Sequence, residues 1–546
     1  MSAYVFIDVS RKQEYIFRSK RLRDNLINSY VIKSVTELPG IADAEPTATD
    51  DEIGNSYSEV TLATYLAEYY TGAYSVVYSG GGNSILKFTG AKQAKEFVRG
   101  YSLEVLSAYP QLELYISKVT EEDIPEGCNK EDMSLIRRLL IQRADRLKDS
   151  RKPMFRRWSY GIERIDDSGK PVLCTNTRQV KDGLDRARNV LHKRLKDRLK
   201  KIGGEEKVEI TVELSDYKSS DERKSYIGVI ALDGNQMGKL FNKLRTPESL
   251  SAFSLAIEKI YVEAVADALC AYATSKQKLI KITPVLMSGD DVCLVTNAED
   301  ALDITAAILE RIRTPSPEAK KALRKAVEGV KGLEDKQLDL TACAGVAIVK
   351  VTYPFFDAVQ RAEKLCRRAK EELYRLAGSE AIAASFMNWE IVQGQVSAQK
   401  PYEKLVSRSR EHSHYHIKPL RVDQLHPTVD GVYSYRAFRS LADGLRNLLE
   451  REQISASFLE KIKKHLYEGW ESYSLLFKLD QTGAGKALSD LVEQTFLSDG
   501  NWKYGVRIES DTGHGHEEYR YVLNDLLETI AFISAGKGSV DTDVKV

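Results

Sequence analysis

Three aspartates stand where apolar runs of the chain come to an end or turn. Asp233 closes the run YIGVIALD that begins at Tyr226, and Asp290 and Asp291 sit together inside PVLMSGDDVCLVT, residues 284–296. Clustered carboxylates are hard oxygen ligands that take Mg²⁺ or Mn²⁺ and leave coordination positions for substrate phosphates. Two such ions about 3.5–4 Å apart serve phosphoryl or nucleotidyl transfer by steadying both the attacking and the leaving oxygen. Successive strand residues point to opposite faces, so Asp290 and Asp291 reach one ligand only if a turn or bulge breaks the alternation. A plain surface turn, where Asp is common, is the other reading of SGDD by itself.

The flanking pattern supplies positioning elements. Two apolar runs joined at Ser288-Gly289-Asp290-Asp291 predict a β-hairpin, with Gly289 giving the turn its backbone freedom. The run into Asp233 predicts a buried strand. Gly234, Asn235 and Gly238 follow in a strand-to-helix turn, whose backbone N–H groups can cradle phosphate. A helix is predicted over 250–274, with Ala252, Leu255, Ile260, Val262, Val265 and Leu269 inward, and a central strand over 338–349. A further helix over 355–376 carries Phe355, Val359, Ala362, Cys366, Ala369 and Leu373 on one face. Lys364, Arg367, Arg368 and Lys370 stand off that face, as a solvated basic surface or as phosphate ligands.

The first 125 residues repeat this layout. A strand ends in Asp8 where the later one ends in Asp233, a helix is predicted over 13–38, and a second hairpin turns at 79–83. Ser79-Gly80-Gly81-Gly82 is expected to match Ser288-Gly289-Asp290-Asp291, so this unit keeps the fold without a full metal site. Gly80, Gly81, Gly82 and Asn83 either let a nucleotide approach the backbone closely or simply make a tight hairpin.

The blocks Asp233-Gly-Asn-Gln-Met-Gly, Ser-Gly-Asp290-Asp291 and AGVAIVKVTYP (344–354), in that order and spacing, resemble the second palm of the type III CRISPR polymerase subunit. This is the Cas-ten or Cmr-two family, with signature GGDD. The segment 7–17 and the glycine-rich loop resemble its first palm, and 388–397 a segment after its second. The likeness to GGDEF diguanylate cyclases is more distant. The resemblance implies an α+β fold of two ferredoxin-like palm domains (1–125 and 223–400), a basic helical connecting region (126–222) and a C-terminal helical domain (401–546). It implies ATP as substrate and two Mg²⁺ or Mn²⁺ ions on Asp233, Asp290 and Asp291. Nucleotide contacts would come from Gly234, Asn235, Gly238, Ser288, Gly289, Lys370 and the loop Gly80–Asn83, with Lys370 matching a lysine that reaches the triphosphate. It implies cyclic oligoadenylate as product, an antiviral second messenger, and as partners other type III effector subunits with guide and target RNA. The chain departs from the family in three ways. Ser288 replaces a glycine. No His-Asp pair precedes the first palm, so no nuclease activity is expected. Only Cys128 and Cys174 fall where a four-cysteine zinc module often lies, so no zinc is expected.

Composition bounds the rest. At 546 residues the chain holds three to four domains. Formal net charge is +1, so any nucleic-acid contact must come from a local patch. One such patch is Arg151, Arg156 and Arg157, ahead of Trp158 and Tyr160, an RNA contact or a solvated face. A later basic helix carries an apolar stripe at Val180, Leu184, Ala187, Leu191, Leu195 and Leu199 and must pack against something. The six scattered cysteines, the start without signal-peptide layout and the lack of an apolar run near 18 residues predict a cytoplasmic protein without a membrane anchor. Helices are predicted over 435–452, 455–477, 487–497 and 517–533. His412, His414 and His416 alternate and could share a metal. Two palms in one chain remove the need for a homodimer. Two other functions stand beside the cyclase: a catalytically silent palm scaffold in an RNA-binding complex, and a diguanylate cyclase.

Overall fold

The computed structural model describes residues 2–19, 21–38, 60–151, 177–219, 225–330, 333, 338–377, 383–392, 412–429, 431–496, 501–510 and 517–534. Arg156, Arg157, Trp158, Tyr160 and Cys174 lie outside the described residues.

The first unit runs β1 (Ala3–Val9), α1 (Lys12–Ile16), α2 (Leu22–Thr36), α3 (Leu62–Tyr69), β2 (Tyr74–Gly80), β3 (Asn83–Phe88), α4 (Ala91–Ala108) and β4 (Leu114–Thr120). Its sheet is antiparallel in the order β2-β3-β1-β4, the ferredoxin-like arrangement. All of β1 is buried because its two faces meet two cores. Val5 and Ile7 join α2 and α4 on one side. Tyr4 and Phe6 join α5 (Met133–Arg151) on the other. The helix predicted over 13–38 is two helices, α1 and α2.

α6 (Thr177–Leu191) packs on α2, and α7 (Lys193–Lys201) packs on a helix of the second unit through buried Leu195 and Leu199. Part of the basic face is consumed internally. Arg194 pairs with Glu258, and Arg198 with Asp267 at 2.8 Å and Glu263 at 3.4 Å. β5 (Val208–Ile210) ends this stretch.

The second unit runs β6 (Tyr226–Gly234), α8 (Met237–Lys243), α9 (Pro247–Lys276), β7 (Ile280–Ser288), β8 (Asp291–Asn297), α10 (Ala298–Arg313), α11 (Pro317–Ala326), β9 (Ala342–Lys350), α12 (Phe355–Ala377) and β10 (Phe386–Ile391). Its inner strands follow β7-β8-β6-β9, the order of the first sheet, so the repeat is present in three dimensions. β6 is again buried on both faces. Ile230 and Leu232 meet α9 and α10, and Val229 and Ala231 meet α12. α9 starts at a Thr246 cap with proline in its first turn, ahead of the predicted start. Its inward face also differs from expectation. Leu255 is 43% exposed and Ala252 is exposed as well, whereas Phe253, Ile257, Tyr261 and Ala264 are buried.

The C-terminal part is not helical throughout. It holds β11 (Ser413–His414), β12 (Leu420–Arg421), β13 (Thr428–Val429), β14 (Val432–Tyr433), α13 (Tyr435–Glu450), α14 (Ala456–Leu466), α15 (Trp470–Lys478), α16 (Ala484–Thr495), β15 (Asn501–Lys503), β16 (Val506–Ser510), β17 (Glu517–Tyr521) and α17 (Val522–Thr529). The helix predicted over 455–477 breaks at Gly469, whose φ of 106° no helix accepts. Residues 517–521, predicted as helix, pair with β16 in a sheet ordered β11-β17-β16-β15.

The second palm's sheet crosses both expected domain borders. Its full order is β12-β10-β9-β6-β8-β7-β5, so one edge strand comes from before residue 222 and the other from after 400. No helix among the described residues is long and apolar enough to cross a membrane.

Candidate active site

β7 and β8 close on the pair Ser288↔Asp291, leaving Gly289-Asp290 as a two-residue turn. Gly289 has φ +62°, which glycine adopts without strain. Asp290 therefore projects from the turn and Asp291 from the first strand position, which frees both from strand alternation. Leu232 of β6 lies opposite Val292 of β8 and Asp233 opposite Cys343 of β9, so the register carries Asp233 to the level of Asp291. The three carboxylates converge at one end of the sheet.

Their charges crowd. Burial, then the charge of Asp233, pushes the Asp290 carboxyl up to about 6, against the backbone N–H groups of Asp290 and Gly234 and the Lys370 ammonium. Burial, then Asp233 and Asp290, pushes Asp291 up to about 7, against Lys370 and Lys12. Asp291 still keeps a solvent-accessible surface. Lys370, on α12, lies 2.6 Å from Asp233 and donates to the Gly234 carbonyl at 2.9 Å. Burial weakens its proton affinity, but Asp233 outweighs that and raises it.

The other second-palm residues fall into place around this cluster. The buried Asn235 donates its amide to Thr341 Oγ1 and the Ala384 carbonyl, both at 3.0 Å, tying the turn to the start of β9. Gly238 has open space where a Cβ would stand, so nothing steric requires glycine there. At Gly234 a Cβ would come within 2.7 Å of the Tyr261 hydroxyl and 2.8 Å of Asp290 Oδ2. Tyr261 is a fully buried member of α9, and its hydroxyl has no hydrogen-bond partner.

The first palm's match to this site shifts by one residue from the sequence expectation. Its turn closes on Gly80↔Asn83, with Gly81-Gly82 between, both at positive φ. Gly80-Gly81-Gly82-Asn83 thus corresponds to Ser288-Gly289-Asp290-Asp291, and Asn83, opposite Asp8, takes the place of Asp291. Asp8 keeps the place of Asp233 and is held by Lys148 at 2.8 Å and Lys12 at 3.1 Å. Lys148 is the sixteenth residue of α5, and Lys370 the sixteenth of α12. Each palm therefore carries the same aspartate–lysine pair, and only the second adds the two turn carboxylates.

The palms face each other tip to tip. A Cβ on Gly289 would lie 4.0 Å from the Gly81 Cα. Buried Glu37, at the end of α2, accepts from the Gly82 N–H at 2.5 Å and the Ser288 hydroxyl at 3.1 Å, and pairs with Lys33 at 2.6 Å. Burial opposes the Glu37 charge, but Lys33 and these donors outweigh it and hold Glu37 ionised. Ser288 is thus the side chain that joins the second palm's turn to the first. Lys12 donates to the Gly81 carbonyl at 3.2 Å.

Remaining expectations lie apart from the cleft. Arg151 ends α5 in an exposed position. The histidines do not share a site: His414 faces Glu518 at 3.2 Å, and His416 faces Asp525 at 2.6 Å. Glu528 completes a three-residue group near His416, but the buried Lys418 lies 3.2 Å from Asp525 and 3.8 Å from Glu528 and supplies the cation there. Tyr261, Glu37, Lys12 and Lys148 were not legible as site residues. Each reads as an ordinary core or surface position, and Lys148 lies outside the 125 residues over which the repeat is legible.

A ferredoxin-like sheet with a carboxylate at the end of its first strand and a carboxylate pair in its central hairpin, facing a second such sheet, defines a chain built on two palm-type domains. Residues 226–377 match the family model described as Cas10/Cmr2, second palm domain. Among solved structures, Csm1 in T. onnurineus aligns at TM-score 0.49 and 12% identity, over 97% of this chain and 69% of that one. A Csm1–Csm4 cassette in complex with cA4 aligns at 0.48 and 11%, over 97% and 69%. One in complex with AMPPNP aligns at 0.45 and 13%, over 90% and 65%. Several other cassette structures share only 53% of their own chain with this one. No curated protein sequence matches the chain.

Proposed function

We propose that the chain is a nucleotidyl cyclase or oligonucleotide synthetase that joins ATP into cyclic oligoadenylates, as a signal-making subunit of a type III CRISPR or related antiviral system. The observation that carries this reading is the convergence of Asp233, Asp290 and Asp291 in a cleft between two palms, with charge crowding that a divalent cation would relieve. The donor set fits Mg²⁺ or Mn²⁺, since all three side chains are hard carboxylates and the Asp291 edge is open to solvent. Asp233, Asp290 and Asp291 would hold two ions. When bound, these would lower the pKa of a ribose hydroxyl and neutralise the departing pyrophosphate.

In this reading the second palm holds the donor ATP and the first palm the acceptor. The acceptor's ribose hydroxyl attacks the donor's α-phosphorus, the new P–O bond forms as the bond to pyrophosphate breaks, and the hydroxyl proton is lost to solvent. Lys370 would exchange Asp233 for the donor triphosphate, with the turn after Gly234 beside it. Lys12 and Lys148, at the edge of the glycine turn, would take the acceptor's phosphates, and Gly80–Asn83 would let its base or ribose approach the backbone. Asp8, held by two lysines, leaves the first palm without an open cation site, so catalysis is assigned to the second palm alone.

The test is ATP turnover with Mg²⁺ or Mn²⁺, wild type beside Asp290→Ala/Asp291→Ala, with products resolved by mass spectrometry. Oligoadenylates that disappear in the variant are expected. Cyclic di-GMP from GTP would instead make the chain a diguanylate cyclase. Absence of both product and metal-dependent ATP binding would make it a scaffold.

A further inference from the structure

Burying a phenol hydroxyl without a partner forfeits the hydrogen bonds it made to water, and buried tyrosine hydroxyls ordinarily find a partner. Tyr261 breaks that rule at one informative place. Its ring packs in the α9 core with 1% of the residue exposed, and its hydroxyl lacks a partner. The hydroxyl points at the carboxylate cluster. It lies 2.7 Å from the point that a Cβ on Gly234 would occupy, and Asp290 Oδ2 lies 2.8 Å from the same point. The lack of a side chain at Gly234 leaves the space that both atoms border open. Burial, then the charges of Asp290, Asp233 and Asp291, keeps the phenol protonated, so it can act only as a neutral donor.

We propose that Tyr261 is the outer hydrogen-bond donor of the cation site, a positioning residue whose hydroxyl holds Asp290 in its ligating orientation once a divalent ion is bound. This rests on the reading of Asp233, Asp290 and Asp291 as cation ligands. Carboxylate ligands need such a partner because a free carboxylate rotates about its last bond, and losing an outer partner typically weakens metal binding by about 10–100-fold. A purely apolar role would be met as well by phenylalanine, which has the same ring and no orphaned hydroxyl.

The experiment is Mn²⁺ titration of the purified chain without nucleotide, following free Mn²⁺ by electron paramagnetic resonance. Wild type, Tyr261→Phe and Asp290→Ala/Asp291→Ala are compared, together with the melting temperature of each in EDTA. The expected result is that Tyr261→Phe binds Mn²⁺ about 10-fold or more weakly, while its metal-free melting temperature is unchanged or higher. Mn²⁺ affinity within twofold of wild type would overturn the proposal. So would a variant that melts lower or fails to fold, which would make the hydroxyl structural. The double aspartate variant separates the two claims. If wild type binds Mn²⁺ no better than that variant, the carboxylate site itself falls and this inference falls with it. If wild type binds and only Tyr261→Phe is indifferent, the site stands and the tyrosine does not.

Discussion

Replacing both turn carboxylates, Asp290→Asn/Asp291→Asn, should stabilise the metal-free protein at pH 8, and by no more than about half as much at pH 5. An aspartate whose folded pKa is raised contributes stability that is complete below its unfolded value, near 3.9, and is lost as pH climbs through the folded value. Here the folded values are about 6 for Asp290 and about 7 for Asp291, so the loss is spread over pH 4–7. At about 1.36 kcal/mol per pKa unit, the half-buried Asp290 alone sets a ceiling of about 3 kcal/mol. Asp291 has a solvent-accessible surface, and each carboxylate feels the other's charge, so the two contributions are screened and do not add. A gain of about 2 kcal/mol at pH 8 is the working figure. The assay is thermal melting of both proteins in EDTA at pH 5 and pH 8, then with Mg²⁺. Saturating Mg²⁺ at about 100 times its dissociation constant should return about 2.7 kcal/mol to wild type and nothing to the variant. A variant no more stable than wild type at pH 8, or one equally shifted at both pH values, would refute the idea that crowded charge defines this site.

Gly345→Ala should destabilise by about 2–3 kcal/mol or more, because its Cβ would run into the Ala362 carbonyl and the Cys366 N–H of α12. A lower melting temperature and loss of product together are expected, since displacing α12 also withdraws Lys370 from Asp233. Ser288→Ala should cost about 1–2 kcal/mol through the lost hydrogen bond to ionised Glu37, and Glu37→Ala more, about 2–3 kcal/mol, because it removes the acceptor shared by both tips and leaves Lys33 only the more distant Glu258 at 3.9 Å. Melting curves rank the two, and equal effects would mean that Glu37 does not act as the shared acceptor of both tips.

The SGDD hairpin, the strand into Asp233 and the repeat were legible because each rests on local chemistry: short continuous apolar runs, a glycine where φ must be positive, and aspartates at strand ends. The one-residue shift in the repeat was not, because three successive glycines carry no mark of register, which is set by the cross-strand pair Gly80↔Asn83. Glu517–Tyr521 read as the start of a helix because its alternation is short and charged, yet pairing with β16 makes it a strand. Tyr261 looked like one more aromatic of a buried helix. Its meaning lies in where a single oxygen points, which apolar periodicity does not encode. The basic residues of α7 read as a surface, but Arg194 and Arg198 face acids of α9 that lie more than sixty residues away in sequence.

The seven-stranded sheet makes the second palm inseparable from its neighbours. β5 guards one flank through β7, and β12 guards the other through β10. A fragment cut at 223 and 400 would bare two rows of unpaired backbone donors and acceptors, which invite association with other sheets. The second palm is therefore not a portable module. Exchanging it between relatives, or expressing it alone, requires carrying 208–210 and 420–421 along, and the smallest heritable unit of this fold is larger than the domain that bears its signature.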